Sequence, residues 1–122
     1  MREIKFKGKR KDNGEWEKGG CFSNPFQVFI IDQMDFFEVI PETVGQFTGL
    51  TDKNGKPDWV GDIIKVRVGM SVYYRPIFQS ESGAFCINLP TLGATGGEDA
   101  IMLITCDHEN VGNVHDGQGD QR

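Results

Sequence analysis

The 122-residue sequence predicts a mainly β domain of small-barrel type, and three observations lead there. Apolar and polar residues alternate with a period of two near the N-terminus and again over 63–68, as in half-buried strands. Asn-Gly pairs at 13–14 and 54–55 supply residues that tolerate positive φ, which tight β turns require. No segment carries a helical apolar repeat over more than about two turns, and no internal repeat or heptad is present.

Taken in order, Ile4 and Phe6 alternate with Glu3, Lys5, Lys7 and Lys9, so residues 2–18 read as a β-hairpin turning at Asp12-Asn13-Gly14, with Trp16 in the return strand. Gly19-Gly20 opens a connection that runs through Ser23-Asn24-Pro25 to a short buried strand at 27–31. Residues 32–38, DQMDFFE, fit either a loop or a further short strand. A turn at 41–45 leads into Gln46-Phe47-Thr48, and 51–56 form a second turn. Ile64, Val66 and Val68 then alternate with Ile63, Lys65 and Arg67, and Gly61-Asp62 at their entrance suits a bulge or sharp bend of the kind a barrel corner needs. Later strands are predicted over 71–78, 85–89 and 100–105, with the Gly- and Thr-rich LPTLGATGGED as a loop between the last two. One domain is expected over 1–116, with the hairpin in 1–20 and the barrel region in 42–68. The closing GQGDQR, 117–122, lacks an apolar anchor and is expected to be disordered.

Composition narrows the function classes. A chain of this length can bury roughly two thirds of its unfolded surface without staples. Its longest apolar runs, 28–31 and 100–104, fall far short of the roughly 18 residues that span a bilayer, so no membrane partner is expected. The charged start MREIKFKGKRK lacks the apolar stretch of a secretory signal. Cys21, Cys86 and Cys106 are odd in number and widely spaced, which fits reduced thiols and a cytoplasmic location. Net charge is −5, divided between +3 for residues 1–20 (seven Lys and Arg less four Asp and Glu) and −8 for the remainder (six less fourteen). Any phosphate contact is therefore expected on the N-terminal face.

Two separated stretches, MREIKFKGKRKDNGEW and ETVGQFTGLTDKNGK followed by GDII, resemble the signature of the YopX family, small proteins of bacteriophages, prophages and their hosts. Val111-Gly112-Asn113-Val114-His115 is similar to that family's closing Gly-Asn motif. The resemblance implies an SH3-like small barrel elaborated by an N-terminal β-hairpin and extra strands and a cytoplasmic phage or prophage lineage; the family's biochemical function is not established, so it supplies no catalytic residue. Two departures stand out: Val60 lies where a Glu is usual, and DGQGDQR replaces a Pro- and Leu-containing tail. The matching positions Gly45, Phe47, Gly49, Leu50, Asn54, Gly55, Trp59, Gly61 and Asp62 read as structural. Phe47 and Leu50 would plug a barrel end, Gly45 and Gly49 would permit close backbone approach, and Thr43 or Thr48 would satisfy backbone groups through a hydroxyl.

No arrangement for catalysis stands out. Cys106, His108 and His115, with nearby Asp107, Glu109 and Asp116, offer zinc donors, but C-x-H-x6-H is not a zinc spacing. Gly93-Ala94-Thr95-Gly96-Gly97 lacks the Lys of a phosphate loop and is followed by Glu98-Asp99. Ser80-Glu81-Ser82-Gly83 lacks the frame of a nucleophile elbow. Asp32, Asp35, Glu38, Asp58 and Asp62 read as solvating carboxylates, with Asp62 capping its own turn. No enzyme activity, cofactor or metal is expected. Two binding surfaces remain. Lys5, Lys7, Lys9, Arg10 and Lys11 form a basic stripe suited either to a solvated strand edge or to nucleic acid. The aromatic surplus around 32–38 and 71–78, notably Phe36, Phe37, Tyr73 and Tyr74, suits a protein partner or self-association. The sequence thus predicts an accessory protein acting by protein binding or self-association, with nucleic-acid binding through the hairpin as the alternative.

Overall fold

The computed structural model describes residues 5–90 and 97–116. The first residues of the expected hairpin, 2–4, the centre of the Gly-Thr loop at 91–96 and the tail at 117–122 lie outside those residues. The rest is β structure with two short 3-10 turns at Pro41–Thr43 and Leu103–Thr105. The strands are β1 (Phe6–Lys9), β2 (Trp16–Ser23), β3 (Val28–Asp32), β4 (Asp35–Val39), β5 (Gly45–Thr51), β6 (Pro57–Trp59), β7 (Asp62–Val68), β8 (Ser71–Pro76), β9 (Phe78–Gln79), β10 (Phe85–Pro90), β11 (Glu98–Met102) and β12 (Glu109–Asn113).

They assemble into three antiparallel sheets, with orders β4-β3-β2-β1-β5-β6, β11-β10-β9 and β12-β7-β8. No ladder among the described residues closes these into one barrel. The first sheet does curl strongly. Its far strand β4 returns to the end of β1 through the Arg10–Val39 bridge, with Ile40 N–H donating to Lys9 C=O at 2.8 Å and Lys11 N–H to Glu38 C=O at 3.0 Å.

The curl explains a correction in the β2 region. Gly19-Gly20 does not open a connection but lies inside β2, where the ladder passes from β1 to β3: Gly19 faces Phe6 and Gly20 faces Ile31. A Cβ at Gly19 would stand 1.9 Å from Ile31 C=O, so a glycine is needed at the crossing. The undecided segment 32–38 is a hairpin turn followed by β4, with Asp32 opposite Asp35 and Gln33 at φ 56°. The expected strand 71–78 breaks at Ile77, whose N–H turns to Asp62 C=O at 2.8 Å. The expected strand 100–105 gives way to a 3-10 turn after Met102.

The main core lies between the two smaller sheets. Ile64 and Val66 of β7 meet Phe85, Ile87 and Leu89 of β10, with Ile77 and Leu103 filling in from the adjoining segments. Burial alternates along β7 as the period-two pattern predicts. A second buried contact closes the curled sheet, where Ile30 and fully buried Val39 lie inward and a Cβ on Gly8 would touch Val39 at 3.0 Å.

Candidate functional site

The densest polar chemistry lies where β12 returns along β7 beneath the β5–β6 turn. Asp52, Asp58, Asp62, His108, Asn110 and Asn113 are all buried there. The Asn110 side-chain amide donates to Asp58 Oδ1 at 3.1 Å and to Asp62 Oδ2 at 2.8 Å, while its backbone N–H donates to Asp52 Oδ2 at 2.8 Å. Asp62 also accepts from Asn113 Nδ2 and Trp59 N–H, each at 2.9 Å, and from Lys7 Nζ at 3.2 Å. His108 Nε2 lies 2.7 Å from Asp58 Oδ2. Asp58 belongs to the edge of the six-stranded sheet, and Asp62, Asn110 and Asn113 to the β12-β7-β8 sheet. The cluster therefore locks two sheets together.

Electrostatics differ among the carboxylates. Burial would raise Asp52, but the N–H groups of Asn110, Lys56 and Asn54 together outweigh it and hold its pKa below the ordinary value. Burial pushes Asp58 up, against the pull of its hydrogen bonds from His108 and Asn110. Burial also lowers Lys7, partly offset by Asp62. Among the described residues every buried side-chain nitrogen or oxygen has a hydrogen-bond partner. Asp52, Asp58, Asp62 and the two asparagines thus direct their polar atoms at one another, at His108 and Lys7, and at backbone, as a structural clamp does.

The motif positions surround this clamp. A Cβ on Gly45 would meet Val60 C=O at 2.2 Å. Phe47 packs on the buried Trp59 ring with centroids 5.1 Å apart, and Leu50 lies against the main core. Asn54 and Gly55 form the turn that Asp52 holds, Gly61 has φ 97° beside the Asn113 amide, and Gly49 is exposed with φ 82°. Thr48 Oγ1 donates to Asp58 C=O at 2.8 Å, and Thr43 Oγ1 accepts the Lys9 N–H at 2.8 Å. Asp62 accepts the N–H of Trp59, three residues back, as a cap of its own turn does. Asp58 and Asp62, expected as solvating carboxylates, are instead buried in the clamp; Asn113 enters the sequence analysis only through the closing Gly-Asn motif, and Asp52 and Asn110 are given no role there. The signal for the asparagines was an Asn-rich strand, ENVGN, since asparagine is depleted in strands unless its side chain is needed. Cys106, His108 and His115 are near in sequence, but no three-residue metal-ligand group forms among the described residues.

The basic stripe is not laid out as an open strand face. β1 is an interior strand flanked by β2 and β5, so Lys9 is buried and Lys7 points at Asp62 beside the Trp16 ring, 4.5 Å away. Lys5 is half-buried. Arg10 pairs with Asp12 and Glu17, and Lys11 with Glu38.

The aromatic candidates separate. Phe36 stands on the outer face of β2, β3 and β4 with Phe22 and Phe29. Phe22 stacks on Phe29 at 4.9 Å, and Phe36 meets the two rings edge-on at 6.2 and 5.7 Å. Phe37 points to the other face, under the Arg10 guanidinium at 4.5 Å. Tyr73 packs on the main core, while Tyr74 on β8 is exposed, in a different sheet from Phe36.

No curated protein and no solved structure matches the chain. The family model described as YopX protein matches residues 2–118. With nearly its whole length matched, the chain belongs to the YopX family.

Proposed function

We propose that the protein acts by binding protein rather than by catalysis, and that its contact surface is the aromatic face of β2, β3 and β4, met by the same face of a second copy of the chain. The Phe22–Phe29–Phe36 cluster carries this reading, because it turns outward instead of filling a core. Phe22 is 41% exposed, Phe36 62%, and Phe26 at the tip of the β2–β3 turn 90%. At about 150–250 Å² per aromatic side chain, these three leave on the order of 400 Å² of ring surface in water. Ile31, 39% exposed and cross-strand from Phe36, extends it. That is the size of the largest apolar patch on a typical monomer, which is often functional, and about half of the roughly 800 Å² per partner of a standard interface. A two-fold contact sets one patch against its own copy, aromatic against aromatic. β4 is also an edge strand, bridged by Arg10 at Val39, and Phe36 lies beyond that bridge.

The test is the mass in solution across a wide concentration range, for the natural chain and for Phe22→Ser with Phe36→Ser. The natural chain should form a dimer that the double variant loses. A strictly monomeric natural chain would overturn self-association; if host proteins were then captured through the intact face and not the altered one, the partner would be a different protein.

A phage or prophage accessory role in the host cytoplasm belongs to the same proposal. The family membership and the free thiols at Cys21, Cys86 and Cys106 support it. An SH3-like class elaborated by the N-terminal hairpin and extra strands is also part of this proposal, and short antiparallel strands, with β12 returning to β7 after a 3-10 turn, favour it.

A further inference from the structure

We propose a second contact surface, a cationic band around the β5–β6 turn that binds single-stranded nucleic acid through its phosphates and one base stacked at Trp16. It is separate from the aromatic face, and it differs from the N-terminal stripe in all residues but Lys7. Among the described residues, Lys7, Arg10, Lys11 and Arg75 are in ion pairs, whereas Lys18, Lys53, Lys56, Lys65 and Arg67 have none.

Those five cations come from three regions of the sequence yet line two grooves. Lys53, Lys65 and Arg67 border a groove of about 370 Å³ beside His108. Lys18 and Lys56 border another of about 280 Å³ with Lys7 and Trp16. Lys53 and Lys56 belong to the same turn, so that turn borders both grooves. It is held firmly: Asp52 Oδ1 accepts the N–H of Asn54 at 2.9 Å and of Lys56 at 2.8 Å, and Asp52 N–H donates to Lys56 C=O at 2.8 Å.

Each groove has three cations against two acids, Asp107 and Glu109 in one and Asp62 and Asp116 in the other, a balance of +1 apiece on a chain of −5. In the second groove the acids are already engaged. Asp62 binds Lys7 and two asparagine amides, and Asp116 accepts the Asn113 N–H at 2.9 Å. Lys18, Lys53 and Lys56 are exposed, as phosphate contacts require. Trp16 is half-buried and lines the second groove, with Lys7 Nζ 4.5 Å and Lys9 Nζ 5.5 Å from its ring centroid; the proposed base stacks on the ring beside these ammonium groups, as an unpaired base does and a duplex with stacked bases does not. An acidic peptide would satisfy the lysines but bring no planar ring to Trp16.

The experiment is anisotropy of a labelled oligothymidylate titrated with the full-length protein at several salt concentrations, with tryptophan emission followed in parallel. Binding should weaken with salt and quench tryptophan. Lys53→Gln with Lys56→Gln, both on the exposed turn, should lower affinity at least about tenfold at low salt. The same pair should make the log–log salt slope shallower by about 1.4, since each single-strand phosphate left without its lysine reduces the slope by about 0.7. Lys11→Gln, whose ammonium is paired with Glu38, should change neither. Absence of binding at low salt, or equal binding by the double variant, overturns the proposal. So does equal competition by a glutamate-rich peptide without tryptophan quenching, which would assign the band to an acidic protein.

Discussion

His108 Nε2 lies 2.7 Å from Asp58 Oδ2, with both side chains buried. The other ring nitrogen, Nδ1, is 2.9 Å from Cys106 C=O, and a carbonyl only accepts, so Nδ1 carries a hydrogen. Nε2 of a neutral ring would then be an acceptor facing a carboxylate that is also an acceptor. The contact needs one further proton, held by the ring or by the carboxyl group. Burial, which pushes Asp58 up, favours keeping it.

Asp58→Asn supplies that hydrogen permanently. Its amide can donate to His108 Nε2 while its carbonyl accepts from Asn110. In the natural chain the raised Asp58 binds its proton more tightly folded than unfolded. That contribution is complete below the ordinary carboxylate value of about 3.9 and is lost as pH rises through the raised one. The stability of Asp58→Asn relative to the natural chain, from urea unfolding at a series of pH values, should therefore increase as pH rises across that window. A difference independent of pH would refute a raised Asp58. Asp58→Ala leaves His108 and Asn110 without their partner and should cost about 2–4 kcal/mol.

Asn110→Asp tests whether the clamp depends on an amide at its centre. The two are nearly the same shape, but the variant sets a third carboxylate against oxygens of Asp58 and Asp62 that now lie 3.1 and 2.8 Å from an N–H donor. We expect a loss of about 3–5 kcal/mol at neutral pH, the scale of an uncompensated buried charge. Part should return on acidification, when a protonated carboxyl can donate again. Unchanged unfolding at neutral pH would mean that the sheets are held by apolar packing alone.

Legibility followed the range of the interactions. β7 was readable because Ile64, Val66 and Val68 alternate with polar neighbours, and the Asn54-Gly55 turn because its φ requirement is local. The clamp was not readable from spacing, since Asn110 lies 52 residues from Asp58 and 48 from Asp62. Each carboxylate taken alone resembles a solvating surface group. β12 was missed because its asparagines face a polar interior and leave no apolar alternation. Lys9 looked exposed because a single strand does not reveal that β2 and β5 flank it. Phe36 was singled out, but the strand register that sets it beside Phe22 and Phe29 depends on the Gly19 crossing.

That crossing yields a prediction on two adjacent glycines that sequence punctuation treats alike. At Gly19 an added methyl would fall 1.9 Å from Ile31 C=O, a backbone atom that can retreat only by pulling β3 away from β2. At Gly20 nothing lies within 4 Å of the same methyl. Gly19→Ala should lose at least about 2 kcal/mol, as overpacking against immobile structure does. Gly20→Ala should be neutral or gain up to about 1 kcal/mol, because alanine has less backbone freedom to lose in a strand. Denaturant midpoints of the two variants beside the natural chain decide the matter. Equal effects would show that β2 does not bend against β3 at Gly19, and the outward alignment of Phe22, Phe29 and Phe36 would then need another cause.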